Sequence, residues 1–447
     1  MSVPHVEWAR KAVHGGSGFF AFSLRFLSWK AAAVAALAAV LFNTFALPRL
    51  GGRSLLRESE AGRTHSAGIL AYPVVVLVMI LLFRDRLEIA AAGWALLAFG
   101  DAAAGLVGMS FGGPRLFWNR EKTLSGLLAY VLFGSLSAAL LFGFVRRGPA
   151  SPAELFAIVL AALAGAAVES LPSELNDNLL PPLVGAGVLA VLLDTLPGWT
   201  LLGSPGFLRI LAFSAALNLA IALLAGWLRV VRPSGVAAGF AFGTVVLAFG
   251  GAAAYALLWL FFATGTIATR FRRLRKEAMG KAEEAGGRRG AANVLANVTV
   301  PAFFVVAAFL APAEGTTYQL AAAAAFATAL MDTIGTEVGQ AIHSATVLLP
   351  DFRRVAPGTD GAVSIAGTLA GLAGALALGV AAAMAGWIPW AGVAVVVLAA
   401  TAGTIVESLL GRDRAPWRVS SGHVLNFVNT FVGAGTALLV SGAGGVR

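Results

Sequence analysis

Acidic side chains recur in the same order in two apolar stretches of the sequence, one in each half of the chain. Asp101 begins the first set and Glu169 ends it, while Asp332 and Glu407 take the corresponding places in the second. Ionised carboxylates are costly inside membrane-length apolar helices, so each is expected to serve a function. Oxygen ligands suit a hard cation such as Mg²⁺, which proteins hold with one or two carboxylates and substrate phosphates. The repetition predicts two related catalytic or transport units.

Glycines follow each aspartate at helical spacing. Gly108 lies seven residues after Asp101, and Gly339 lies seven residues after Asp332. Positions i and i+7 share one face of a helix, so a ligand could approach the backbone there. Close packing of two helices through small residues explains the glycines equally well, although it does not explain the aspartates. Glu337 lies off this face and is a further candidate carboxylate.

Phosphate-binding groups are predicted at the start of the helix that follows each aspartate. Lys122 and Thr123 open the helix after Asp101, and Ser364 takes the matching place in the second half. A hydroxyl and free backbone N–H groups at a helix N-terminus bind phosphate readily, and ordinary N-capping is the alternative. Further candidate phosphate- or nucleotide-binding residues are basic or amide side chains near the repeated motifs: Arg63, Asn178, Arg288, Arg289, Asn297, Asn426 and Asn429. For the arginines the alternative is a topogenic role, and for the last two asparagines it is hydrogen bonding between helices.

The composition identifies the elements that must position these residues. The 447-residue chain is 58% hydrophobic and 12% charged, with a mean hydropathy of +0.83, which is typical of a polytopic membrane protein. We predict an all-α fold of about fourteen transmembrane helices, each spanning a hydrocarbon core of about 30 Å. They would form two parallel-repeat halves of about six helices, in domains 1–203 and 204–447, with a connector over 204–250. The glycine-rich run 234–269 reads as two helices or as one long segment.

The distribution of Lys and Arg predicts the orientation of the chain. They concentrate in alternate loops, including those that join the repeated motifs, which marks those loops as cytoplasmic. The net charge of +10 would attract a polyanion such as a nucleoside triphosphate, and contact with lipid headgroups is the alternative. The first 28 residues lack the continuous apolar stretch of a signal peptide, so an interfacial helix is expected there. The predicted location is the bacterial inner membrane, with the active-site loops in the cytoplasm.

The motifs resemble those of known lipid kinases. In the first half, residues 100–105, 119–126 and 169–179 resemble phytol and dolichol kinases, which are relatives of the CDP-diacylglycerol synthases. The second half is similar to the phytyl-phosphate kinase family in five segments: 286–297, 332–339, 357–364, 407–411 and 426–430. The first half departs from the kinase pattern in carrying Asn176-Asp177 where paired aspartates are usual.

The resemblance implies CTP-dependent phosphorylation of an isoprenoid alcohol such as phytol or geranylgeraniol. The first half would form the monophosphate and the second the diphosphate, with the prenyl tail in the lipid between helices. It implies Mg²⁺ as cofactor, held by Asp101, Glu169, Asp332, Glu337 and Glu407. The candidate catalytic carboxylates are these five together with Asp177. The residues themselves leave open CTP or ATP, the prenyl chain length and the oligomeric state.

Two other functions fit the same residues. A cytidylyltransferase would attach CMP to a lipid phosphate, and a transporter would use the repeated carboxylates to carry ions or protons. A transporter predicts carboxylates near the bilayer midplane and gates on both sides, whereas the motifs cluster toward one face, which favours an enzyme. Nucleic-acid binding is excluded because aromatic residues do not alternate with the basic ones. The absence of cysteine excludes disulfides and cysteine-based sites.

Overall fold

The computed structural model describes residues 15–47, 49, 67–171, 178–229, 231–271, 289–342, 344–412 and 421–444. The chain divides into two compact units, Met1–Leu193 and Asp194–Arg447, which are treated separately below. Fourteen α-helices occur in the described residues. Eleven helices there are long and apolar enough to cross a membrane. The all-α polytopic prediction is therefore confirmed, and the arrangement in two repeated halves stays a prediction.

The described part of the first unit is mostly helical. Its helices are α1 (Trp29–Leu41), α2 (Ala67–Leu82), α3 (Leu87–Ala95), α4 (Asp101–Phe111), α5 (Leu124–Arg146), α6 (Pro152–Ser170) and α7 (Leu180–Thr195). A π-helical turn, Leu96–Gly100, joins α3 to α4, so that Leu87–Phe111 forms one membrane-length helix. Asp101 is the first residue after this turn. The extra residue of a π-turn shifts the helix face on which the following side chains lie.

A 3₁₀ helix, Gly18–Arg25, packs on α3 and α5. Ala21 and Leu24 are buried in the core of the first unit. The Arg25 guanidinium donates to the Phe144 carbonyl oxygen at 2.8 Å and lies 4.5 Å from the centre of the Phe144 ring. This segment packs against the helical core of the first unit through these residues, and the interfacial helix expected from the sequence stays a prediction.

The second unit holds the remaining helices and a small sheet. Its helices are α8 (Pro205–Trp227), α9 (Pro233–Arg270), α10 (Ala291–Leu310), α11 (Gly315–Ala341), α12 (Ile365–Met384), α13 (Gly392–Gly411) and α14 (Gly422–Gly444). Helix α11 is the central element, since it packs against α9, α10, α12, α13 and α14. Its stretch Leu320–Met331 is buried throughout.

Helix α9 folds back on itself at Gly251. The residue has φ 65° and ψ −165°, which are not helical values. A straight helix of 38 residues would be about 57 Å long. Yet a methyl group at Gly235 would lie 2.4 Å from the Arg289 carbonyl oxygen, and one at Gly265 would lie 2.7 Å from Arg289 Nη2. Both far ends of α9 therefore meet Arg289, so the run 234–269 forms two antiparallel arms.

Between α11 and α12 the chain forms a three-stranded antiparallel sheet that the sequence did not predict. Its strands are β1 (Thr346–Leu348), β2 (Arg353–Arg354) and β3 (Ala362–Ser364), in the order β2-β1-β3. Val347 pairs with both Arg354 and Val363. Gly361, at φ +71°, precedes β3 and lies against the end of α13, where a methyl group would come within 2.6 Å of the Ser408 carbonyl oxygen. The sheet therefore covers the helix end that carries Glu407.

Candidate functional site

In the first unit, an ion pair joins the start of α5 to the end of α6. Lys122 Nζ donates to Glu169 Oε1, and Glu169 is only 8% exposed. The loop before α5 is fixed to the same helix end, because Asn119 Nδ2 donates to the Ser170 carbonyl oxygen at 3.2 Å. Trp118 Nε1 also donates to Ser170 Oγ, at 3.1 Å. The structure thus brings Lys122 and Glu169 together, as two parts of one predicted site.

Helix α5 begins with a hydroxyl cap that packs against α4. Thr123 Oγ1 accepts a hydrogen bond from Gly126 N at 3.2 Å. A methyl group at Gly108 would lie 3.0 Å from Thr123 Oγ1, and one at Gly126 would lie 2.9 Å from the Ala104 carbonyl oxygen. The glycines of this face therefore serve close helix packing, and a ligand does not reach the backbone at Gly108 without displacing α5.

Asp101 lies deeper than this cap. It is 4% exposed and precedes Gly108 by seven residues, which is about 10 Å along the helix axis. Its position is close to the middle of the continuous helix Leu87–Phe111. Asp101 therefore lies further along the helix from the cap than Gly108 does, and the clustering of the motifs toward one membrane face stays a prediction.

The second unit has the same hydroxyl cap and glycine contact. Ser364 Oγ accepts a hydrogen bond from Gly367 N at 3.1 Å at the start of α12. A methyl group at Gly339 would lie 2.7 Å from Ser364 Oγ, and one at Gly367 would lie 2.4 Å from the Gly335 carbonyl oxygen. The spacing from cap to glycine is three residues in both units, and the facing glycine lies seven residues after the aspartate.

A hydrogen-bonded cluster of acids and amides lies beside this helix pair. The carboxyl groups of Asp332 and Glu407 are hydrogen-bonded to each other. Thr336 Oγ1 donates a hydrogen bond to Asp332 Oδ1 at 3.4 Å, and Asn429 Nδ2 donates to Glu407 Oε2 at 2.5 Å. Asn429 is fully buried, and its Oδ1 has no hydrogen-bond partner among the described residues. Glu337 is buried nearby and interacts electrostatically with Asp332.

The donor set of this cluster fits a hard cation. Two carboxyl groups in contact must share a proton or a cation, because two negative charges repel at that separation. The free Asn429 Oδ1 adds a third oxygen beside them. Within the described residues, no group of three or more His, Cys, Asp or Glu side chains is placed to hold a metal ion. The fit is therefore to an ion held by one or two carboxylates plus substrate phosphates, which is the usual form of a Mg²⁺ site.

The other predicted site residues lie on neighbouring helices. The Arg289 guanidinium lies 5.4 Å from the centre of the Phe261 ring on α9. Asn297 on α10 is 1% exposed; its Nδ2 donates to the Asn293 carbonyl oxygen at 2.9 Å, and its Oδ1 lacks a hydrogen bond from any described residue. Asn426 lies on α14 one turn before Thr430, and Asn178 precedes α7. Arg63, Asp177 and Arg288 lie outside the described residues.

Reasoning from the sequence assigned no role to three residues that border the first-unit motifs: Trp118, Asn119 and Tyr130. The asparagine belongs to a motif that was recognised, but its role in anchoring the loop depends on the distant Ser170. Tyr130 lies in an apolar stretch of α5 and is 1% exposed. An aromatic residue within a membrane-length helix is ordinarily a packing residue, so the sequence held no signal that separated it from its neighbours.

The fold and these carboxylates define a multi-pass helical membrane protein with acidic groups at tightly packed helix pairs. The chain belongs to the family described as integral membrane protein DUF92, which it matches over residues 216–414. The matched range lies within the second unit and contains Asp332, Glu337 and Glu407.

Several curated proteins are similar to about half of the chain. An uncharacterized membrane protein of Synechocystis, sll0875, is 35% identical over 214 residues, which are 47% of this chain and 82% of that protein. Protein VTE6, chloroplastic, of Arabidopsis thaliana is 33% identical over 235 residues, 51% of this chain and 71% of the relative. CTP-dependent diacylglycerol kinase 1 of Schizosaccharomyces pombe is 29% identical over 208 residues, 42% of this chain and 94% of the kinase. A probable phytol kinase, chloroplastic, of Triticum aestivum is 29% identical over 39% of this chain and 64% of that protein. Phytol kinase 1, chloroplastic, of Arabidopsis thaliana is 29% identical over 32% of this chain and 48% of that protein. No solved structure matches the chain.

Proposed function

We propose that this protein is a CTP-dependent lipid kinase that converts a prenyl alcohol to its monophosphate and then to its diphosphate. Relatives named phytol kinase and CTP-dependent diacylglycerol kinase support phosphoryl transfer to a lipid and CTP as the donor. The observation that carries the proposal is the recurrence, in each unit, of a hydroxyl-capped helix start packed on an aspartate-bearing helix, with a glutamate from a third helix.

The first reaction is assigned to the first unit. The acceptor oxygen forms a bond to the terminal phosphorus of CTP, the bond from that phosphorus to the bridging β-phosphate oxygen breaks, and CDP leaves. Lys122 and the N–H groups at the start of α5 hold phosphate oxygens. The acceptor's proton passes to the Asp101 carboxylate. Phosphoryl transfer depends mainly on such positioning and charge neutralisation.

The second reaction is assigned to the second unit, where the acceptor is a phosphate monoester. Ser364 and the start of α12 hold phosphate oxygens, Asn426 and Asn429 orient the acceptor, and Arg288, Arg289 and Asn297 border the nucleotide. Mg²⁺, when bound, supplies positive charge to the phosphates; Asp332 and Glu407, with Glu337 nearby, would hold it here, and Asp101 with Glu169 in the first unit. The lipid substrate reaches both units within the membrane, and the phosphate-binding ends of the helices face the cytoplasm.

The direct test uses purified protein in detergent with Mg²⁺, CTP and geranylgeraniol, followed by separation of the lipid products. Label from the γ-phosphate in lipid monophosphate and diphosphate is the expected result, with CDP as the other product. Label from the α-phosphate in the lipid would instead identify a cytidylyltransferase. Failure of both CTP and ATP to label any prenyl alcohol or prenyl monophosphate would refute the proposal. Asp85→Asn, at an exposed acid beside Arg84, serves as the matched control for substitutions of the site aspartates.

A further inference from the structure

Tyr130 differs from the other tyrosines of this chain. The chain has four tyrosines, and three hydroxyls are hydrogen-bonded: Tyr72 accepts from Trp94 Nε1 at 2.8 Å, Tyr255 donates to Asn218 Oδ1 at 2.9 Å, and Tyr318 donates to Asp194. The Tyr130 hydroxyl has no hydrogen-bond partner among the described residues although the side chain is 1% exposed. Burying a hydroxyl group without a hydrogen-bond partner costs about 1–3 kcal/mol of stability. The presence of such a group at Tyr130 therefore needs an explanation.

The position of Tyr130 supplies that explanation. Its ring packs on Gly100, where a methyl group would lie 3.3 Å from Cζ, so the ring lies beside the residue that precedes Asp101. Its hydroxyl lies beside Gly165 on α6, where a methyl group would lie 3.0 Å away. Gly165 is one helical turn before Glu169. The tyrosine therefore spans from the aspartate-bearing helix to the glutamate-bearing helix, and its hydroxyl is within electrostatic range of both carboxylates.

The second unit fills the equivalent place differently. Tyr130 lies seven residues after the cap Thr123, and Gly371 lies seven residues after the cap Ser364. A methyl group at Gly371 would lie 2.7 Å from the Met331 carbonyl oxygen and 3.0 Å from Met331 Cγ, and Met331 directly precedes Asp332. Large and small residues are thus exchanged across the helix pair: glycine faces tyrosine in the first unit, and methionine faces glycine in the second. Only the first unit gains a hydroxyl by this exchange.

We propose that the Tyr130 hydroxyl binds the acceptor hydroxyl of the first unit and orients it toward Asp101. This inference rests on the proposed function, because it assigns an alcohol as the acceptor of that unit. The Tyr130 O–H donates to the acceptor oxygen, and the acceptor's own proton points to the Asp101 carboxylate, which takes it as the new phosphorus–oxygen bond forms. A phosphate monoester needs no such group, since it is already anionic. Tyr130 is a positioning residue that sets the acceptor class of the first unit.

Tyr130→Phe tests this inference. We expect the kcat for geranylgeraniol to fall at least about tenfold, while the KM for CTP and the rate with geranylgeranyl monophosphate stay unchanged. We also expect the Tm to stay equal or rise, because the variant removes a buried hydroxyl that has no partner. A residue that only packs would not combine slower turnover with undiminished stability. The matched control is Tyr255→Phe, which removes a hydrogen-bonded hydroxyl in the second unit and should lower Tm without altering the kinetics with geranylgeraniol.

A binding measurement separates this inference from the proposed function. The rise in Tm caused by geranylgeraniol is recorded for the wild-type protein and for Tyr130→Phe, without nucleotide. A smaller rise in the variant supports the hydrogen bond even if the wild-type protein transfers no phosphate, in which case only the proposed function fails. Equal rises overturn the inference, whether or not the wild-type protein is a kinase. If it is a kinase, equal kcat values for the two proteins overturn the inference as well.

Discussion

The two glutamates of the repeated motif are neutralised by different partners. Glu169 pairs with the Lys122 ammonium, whereas Glu407 is hydrogen-bonded to the Asp332 carboxyl group and to Asn429. The first arrangement carries its own positive charge, and the second needs a proton or an added cation. The second unit is therefore expected to depend more strongly on Mg²⁺ for stability as well as for activity, since a ligand that binds only the folded state stabilises it.

The ion pair between Lys122 and Glu169 is expected to stabilise the first unit. Lys122→Met leaves the Glu169 carboxylate largely buried without its ammonium group, so we expect the free energy of unfolding to fall by about 1–3 kcal/mol. The lysine side chain is 31% exposed, which places the expected loss below that of a fully buried pair. Thermal unfolding in detergent measures the change. The double variant Lys122→Met, Glu169→Gln should recover most of the loss, and equal unfolding temperatures for the wild-type protein and the single variant would contradict the assigned ion pair.

At the scale of elements, glycine contacts determine how closely the aspartate-bearing helix approaches its neighbour. Gly367→Ala places a methyl group 2.4 Å from the Gly335 carbonyl oxygen, so α11 and α12 must separate. We expect a loss of about 1–3 kcal/mol of stability and slower conversion of the monophosphate to the diphosphate. Gly435→Ala is the matched control because no atom beyond the local backbone of its own helix lies within 4 Å of the added methyl group. It should be neutral or stabilise α14 by up to about 1 kcal/mol. Equal effects of the two substitutions would show that the contact does not matter.

The reversal within α9 gives a second prediction at this scale. Gly251 has φ 65° and ψ −165°, backbone angles that residues other than glycine rarely adopt. Gly251→Ala should therefore lower stability by about 1–3 kcal/mol, although nothing crowds the added methyl group. Gly239→Ala, in the first arm of the same helix and equally uncrowded, should not. Thermal unfolding of both variants decides between backbone strain at Gly251 and a general intolerance of α9 to substitution.

The elements themselves were largely predictable, whereas several contacts that form the site were not. Runs of apolar residues predicted the positions of the helices, and Thr123 and Ser364 were recognised at their helix starts because N-cap chemistry is local. The strands β1–β3 have only two or three residues each, too few for alternation to reveal them. The partners of Lys122 and Asn119 are about fifty residues away, so only the fold could show them.

At the scale of the whole molecule, two sites in one chain would keep an amphiphilic intermediate in the membrane. The family match, residues 216–414, lies in the second unit, and the first unit has the same cap and glycine geometry around Asp101. If each unit catalyses one transfer, then inactivation of one unit should leave the reaction of the other intact, because ligands and caps of each site come from its own helices.

The assignment of each transfer to its own unit is tested by the labelled lipid products of Asp332→Asn, incubated with γ-labelled CTP, Mg²⁺ and geranylgeraniol. We expect that labelled monophosphate accumulates and that labelled diphosphate falls at least about a hundredfold, while Asp101→Asn makes diphosphate only from supplied monophosphate. Asp85→Asn should give the wild-type products. Wild-type amounts of diphosphate from Asp332→Asn would contradict the assignment of the second transfer to the Asp332–Glu407 site.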